Sequence, residues 1–158
     1  MSELDVRIVT LEPMHVASFL GFGENPEDLA WGKLIPWAKE KGLLDDREKH
    51  RLFGFNNPNP SPGSPNYGYE VWIVVDPEEV EPEEGVEFKD FPGGRYAVTE
   101  CVVPKGKFEV IGQTWKKLVA WCEDSKYHFG DHQWLEESLP IALPDTEFVL
   151  DLYLPIAE

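Results

Sequence analysis

The sequence predicts an α+β fold built as duplicated βαββ halves: an antiparallel sheet with two main helices on one face and a central ligand cleft on the other. Three observations lead there. Period-two stretches rich in Val, Ile and aromatics recur along the chain and mark strands. Two segments only are long enough for sizeable helices. Those two helical segments share a sequence pattern and sit in the same order of elements.

Val6–Leu11 is a short strand stopped at Pro13, and Met14–Phe22 is a second. Asn25-Pro26-Glu27-Asp28 starts a helix, with Asn at the cap, Pro in the first turn and acids at the positive end of the dipole. It runs to about Lys41 and ends at Gly42; Pro36 inside it should kink or divide it. Leu52–Asn56 is a short strand. Residues 56–68 hold four prolines and two glycines and form a long loop, a place where function often sits. Tyr69–Val75 is a strong strand, and the acidic run 76–84 reads as a solvated linker. A strand at 86–91 leads through Pro92-Gly93-Gly94 into a longer one at 95–103. A helix covers about Glu109–Ser125, and strands at 133–139 and 147–155 close the chain.

With 158 residues the chain makes one domain, 1–158, large enough for a single core. The net charge of −16 opposes contact with phosphate backbones or anionic lipid, so no direct DNA binding and no membrane association are expected. An aromatic content of 13% argues for a folded chain despite the charge. Cys101 and Cys122 are too few for a disulfide scaffold. MSELDVRIV has neither a basic nor an apolar signal region, so a cytoplasmic protein is expected.

Residues 31–37 read Trp-Gly-Lys-Leu-Ile-Pro-Trp and residues 115–121 read Trp-Lys-Lys-Leu-Val-Ala-Trp. Trp31, Lys33, Leu34 and Trp37 thus match Trp115, Lys117, Leu118 and Trp121. The pattern sets pseudo-repeats at about 6–76 and 86–156, joined by the linker 77–85. Two such halves with their helices on one face leave the other face as a natural ligand cleft.

Alternation then assigns side chains to faces. Phe148, Leu150, Leu152 and Leu154 meet a helix, as do Val71, Ile73 and Val75. Leu135 and Leu139 suit the same layer, which leaves Trp134, Glu136 and Ser138 opposite. The predicted cleft lining is Phe55, Trp72, Trp134 and Tyr153, with Glu136 and Glu70 as carboxylates among them. Aromatic faces attract cations, and a carboxylate among them neutralises a cationic ligand. Wet surface acids beside aromatics that merely patch the sheet would look the same. Trp115, Leu118 and Cys122 lie on one stripe with Ile111, the spacing of ordinary core.

No catalytic or nucleotide-binding motif is present. Cys122, His128, Asp131 and His132 match no strong zinc spacing, so neither metal nor cofactor is expected.

Phe53-Gly54-Phe55-Asn56-Asn57-Pro58, the Pro-rich loop and Tyr67-Gly68-Tyr69-Glu70-Val71-Trp72 together resemble the GyrI-like small-molecule-binding domain, the effector domain of some AraC- and MerR-type regulators. Phe91–Val98, Trp134–Pro140 and Leu152–Ile156 extend the resemblance over nearly the whole chain. It implies a cleft glutamate on the penultimate strand that anchors ligands, often lipophilic cations; the matching position is Glu136. The family often has Tyr two residues later, where this chain has Ser138. It also implies a stand-alone form without the regulators' DNA-binding domain. Two uses stay open. One is ligand binding for sensing or sequestration, with a separate regulator protein as partner. The other is hydrolysis of strained electrophilic toxins with Glu136 as general base, alongside a bland third reading as a protein-interaction domain.

Overall fold

The computed structural model describes residues 4–56, 66–140 and 143–157. The elements in chain order are β1 (Arg7–Leu11), β2 (Met14–Gly23), α1 (Pro26–Glu40), β3 (Leu52–Asn56), β4 (Tyr67–Val74), β5 (Glu87–Phe91), β6 (Gly94–Pro104), α2 (Glu109–Glu123), β7 (His128–Phe129), β8 (Leu135–Leu139) and β9 (Thr146–Ala157). Within each of the two halves the strand pairings are antiparallel, in keeping with the predicted α+β class. The two-residue β7 has no counterpart in the sequence reading. Most of the Pro-rich loop, 57–65, lies outside the described residues. Among the described residues no helix is long and apolar enough to cross a membrane.

Two compact units emerge, and their bounds differ from the sequence repeats. One is continuous, Pro13–Pro92. The other is discontinuous, joining residues 1–12 to 93–158. The continuous unit orders its strands β3-β4-β2-β5. The discontinuous unit orders them β1-β6-β9-β8, with β7 also on β9. The first strand of the chain therefore completes the ladder of the second half. Gly93 makes the return possible. It sits at φ +82, and a Cβ there would lie 2.2 Å from the Leu11 carbonyl oxygen.

In the continuous unit α1 covers one sheet face. Pro26, Ala30, Leu34 and Ala38, one turn apart, are its buried stripe. They meet Ala17, Phe19, Val71 and Ile73. Burying Leu34 completely is worth about 2 kcal/mol. Pro36 neither divides nor ends this helix. Its missing N–H frees the Gly32 carbonyl, but Gly32 and Pro36 are both exposed, so water satisfies that group. Asn25 sits at the N-cap without a side-chain cap bond. Gly42, left-handed at φ 72, follows the helix end as expected.

The acidic run is less loose than a solvated linker. Asp76 accepts the backbone N–H groups of Glu79 and Val80 on its carbonyl, and Val80 is buried. Glu79 pairs with Lys49, and Glu83 pairs with Lys41 while accepting the Trp37 indole N–H. In the discontinuous unit α2 packs Leu118 and Cys122 onto Ala97, Cys101, Leu152 and Leu154. The spacing that placed Cys122 in the core holds. Burial pushes the thiols of both cysteines up.

Candidate functional site

Within the discontinuous unit the expected ligand residues do not share one face: Tyr153 lies opposite Trp134 and Glu136. In the continuous unit, β3 and β4 set Phe55 opposite Glu70 and Phe53 opposite Trp72, on the side away from α1. The alternation had placed these residues correctly, but the structure closes them off. Glu70 is 2% exposed, Trp72 5% and Phe55 7%. Their rings pack together, Phe55 to Trp72 at 4.9 Å and Trp72 to Phe91 at 5.4 Å. One oxygen of Glu70 accepts from Ser18 Oγ at 2.7 Å, Trp72 Nε1 at 2.6 Å and Lys89 Nζ at 2.7 Å. The carboxylate already holds a cation of its own chain.

In the discontinuous unit Tyr153 is on the side away from α2 and is 2% exposed. Its hydroxyl donates to Glu137 at 2.7 Å, and Tyr96 packs against its ring at 5.4 Å. Glu137 faces Asp151 across the β8–β9 pair. Asp151 Oδ2 accepts from Arg7 at 2.8 Å, and its Oδ1 is a buried atom without a partner among the described residues. Burial pushes the Asp151 carboxyl up, against the pull of Arg7.

The face assignment of β8 is corrected by its register. Leu135 pairs with Tyr153 and Glu136 with Leu152, so Leu135, Glu137 and Leu139 share the Tyr153 side. Trp134, Glu136 and Ser138 therefore belong to the α2 side, the reverse of the expected arrangement. Leu135 is fully buried, as a core leucine should be, but in the layer away from the helix. Both sheet faces here are covered, so the two leucines could not indicate which layer receives them.

This inversion brings together a group the sequence did not assemble. Glu136 Oε2 accepts from Trp115 Nε1 at 2.8 Å. The Trp115 and Trp134 rings lie 5.5 Å apart, and Trp134 stacks on Phe129 at 6.2 Å. α2 supplies Trp115, β7 supplies Phe129, and β8 and the residue before it supply Glu136 and Trp134. Trp134 is 39% exposed and Phe129 43%. The core spacing of Trp115 was correctly read, since its ring packs on the α2 core. Its indole N–H, however, fixes a carboxylate. Phe129 was missed because a two-residue strand leaves no periodic signal. Among the described residues no three His, Cys, Asp or Glu side chains are grouped to hold a metal ion. His132 instead bonds the Arg95 carbonyl at 2.8 Å.

The family model of the GyrI-like small molecule binding domain matches residues 4–157. The chain belongs to the GyrI-like family. No curated protein matches its sequence. Among solved structures, the C-terminal domain of EcmrR superposes with a TM-score of 0.70 at 13% identity, covering 98% of each chain. A hydrolase from Listeria innocua gives 0.67 at 13% identity, covering 99% of this chain and 94% of that one. SAV2435, solved bound to tetraphenylphosphonium, gives 0.57 at 8% identity, covering 98% and 94%. At these identities the likeness is one of fold. For a GyrI-like domain, small-molecule binding is the function the family assigns.

Proposed function

We propose that this GyrI-like domain binds a small organic cation with an apolar body, for sensing or sequestration, at the surface formed by Glu136, Trp115, Trp134 and Phe129. One observation carries the reading: an exposed indole beside a carboxylate that a second indole already orients. A cation within about 6 Å of a Trp ring centre is attracted by the ring's negative face. The carboxylate adds the opposite charge. Because Trp115 holds it in place, little side-chain freedom is lost on binding. The net charge of −16 draws cations toward the protein from a distance. SAV2435, which shares the fold, takes a lipophilic cation.

Phe55, Trp72, Glu70 and Tyr153, expected as ligand residues, serve here as interior packing. Binding is favoured over hydrolysis by the same indole bond. A hydrogen bond donated to Glu136 stabilises its anion, which suits an anchor and weakens a general base.

The test is a thermal-shift titration with tetraphenylphosphonium on wild type, Glu136→Gln, Trp134→Ala and Glu70→Gln. At a hundredfold excess over Kd, a ligand adds about 2.7 kcal/mol of stability. For a domain of this size that is roughly 5–10 °C in Tm. Glu136→Gln and Trp134→Ala should lose most of the shift, and Glu70→Gln should keep it. An undiminished shift in Glu136→Gln would place the ligand elsewhere.

A further inference from the structure

The continuous unit holds a cavity of about 340 Å³ at one end of its sheet, lined by Pro13, Met14, His15, Asp90, Phe91 and Pro92. Two terminal pairs of the β2–β5 ladder frame it, Met14 with Phe91 and His15 with Asp90. Pro13 and Pro92 bound the two strands there, and a proline has no N–H with which to extend a ladder. Side chains alternate, so Met14 and Phe91 come to the cavity from one sheet face and His15 and Asp90 from the other. Four of the six lining residues are apolar, and the volume is that of a small-ligand pocket.

The polar pair is ordered. His15 Nδ1 lies 2.7 Å from Asp90 Oδ1, and the imidazole stacks on Phe88 at 5.8 Å. A carboxylate only accepts, so Nδ1 carries the proton and Nε2 of the neutral ring is an acceptor. Nε2 has no partner among the described residues, and the side chain is 24% exposed. An oriented acceptor therefore borders an apolar cavity.

We propose that this cavity is a second ligand site, one that takes a neutral phenol. The aromatic ring packs among Pro13, Met14, Phe91 and Pro92, and the hydroxyl donates to His15 Nε2. The site shares no residue with the Glu136 surface and stands independently of it. The proton must come from the ligand, because the neutral imidazole has already given its own to Asp90. A carboxylic acid would arrive as an anion and meet Asp90 and a net charge of −16. A quaternary cation has no proton to give. Asp90 is the positioning residue: its bond to Nδ1–H fixes the tautomer and the orientation of the ring.

Calorimetric titration with para-cresol and with its methyl ether tests this at pH 7.5, on wild type, His15→Phe, His15→Leu and Asp90→Asn. The cavity has room for the extra methyl, so the two probes differ in the proton they can donate. Wild type should bind the phenol roughly tenfold tighter than the ether, the worth of one hydrogen bond in a partly dry site. His15→Phe keeps a ring on Phe88 but removes the acceptor, so it should bind the two probes alike. His15→Leu should do the same without the ring. Asp90→Asn should weaken the preference, and the imidazole nitrogen NMR spectrum should then show both tautomers where wild type shows the proton at Nδ1. Equal binding of the two probes to wild type, or no binding of either, would overturn the phenol assignment. A preference that persists in a folded His15 variant would overturn the site.

Discussion

Glu70 is the sharpest test of how burial decides a carboxylate's role. The side chain is 3% exposed and meets an ammonium, an indole N–H and a hydroxyl at one oxygen. Lys89, in contrast, is 35% exposed and has Glu87 3.9 Å away. The two partners are therefore unequal. Glu70→Gln releases Lys89 to water and leaves an amide oxygen for Ser18 and Trp72, so it should cost only about 1 kcal/mol. Lys89→Met takes the ammonium away from a carboxylate in a dry site. Breaking a buried pair costs roughly 3–5 kcal/mol, and the donors that Glu70 keeps, Ser18 and Trp72 among them, put this case near the lower figure, about 3 kcal/mol. For a domain of this size that is roughly 6–12 °C in Tm. The pH dependence separates a lost ion pair from lost packing. In Lys89→Met the folded state favours a protonated Glu70, so its deficit against wild type is full at neutral pH and shrinks as pH falls toward the carboxylate range. Urea melts of wild type and both variants at pH 7.5 and pH 5 measure this. Equal costs for the two variants, or a Lys89→Met deficit that ignores pH, would refute the reasoning.

Two glycines in the continuous unit should respond with opposite sign. A Cβ on Gly21 would lie 2.4 Å from the Pro26 carbonyl and 2.7 Å from the Ala30 nitrogen, both backbone atoms, so Gly21→Ala must push α1 off β2 and should cost about 1–3 kcal/mol. Gly32, exposed inside α1, has nothing within 4 Å of such a Cβ, and Gly32→Ala should gain about 0.5–1 kcal/mol. Thermal melts check both, and a stable Gly21→Ala would mean that the helix is not seated as described. The raised Asp151 carboxyl gives a third case. Its contribution is present below the unfolded value, near 3.9, and is lost as pH rises through the folded value, so wild type should gain on Asp151→Asn between pH 7.5 and pH 5. A constant difference between the two, read by chemical denaturation, would show that Arg7 neutralises the site fully.

The parity of β4 and β9 was legible because each alternates strictly, with Val71 and Ile73 or Leu150, Leu152 and Leu154 on one side. β8 was not legible in the same way. Its Leu135 and Leu139 mark a buried face, but burial occurs on both sides of this sheet, and only the register against β9 distinguishes them. Glu136 was therefore singled out for its chemistry and placed on the wrong layer, while its neighbour Glu137 occupies the interior. The Trp115–Glu136 bond joins residues 21 apart through the α2–β8 connection, a distance no periodicity reports. Pro36 shows the converse failure: a strong local rule yields where the freed carbonyl meets solvent.

The placement of β1 has a consequence for synthesis. Arg7–Leu11 emerges from the ribosome well before its partners, Gly94–Val98 in β6. Until that strand is made, β1 carries unpaired backbone groups on both edges, the condition that invites pairing with another chain. The residues 13–92 made in between can gather their own contacts without it. The last step of assembly is then the capture of an early strand by a late one, slow because the intervening loop must close first. Charge on that strand would guard it during the wait, and Asp5, Arg7 and Glu12 bracket the segment.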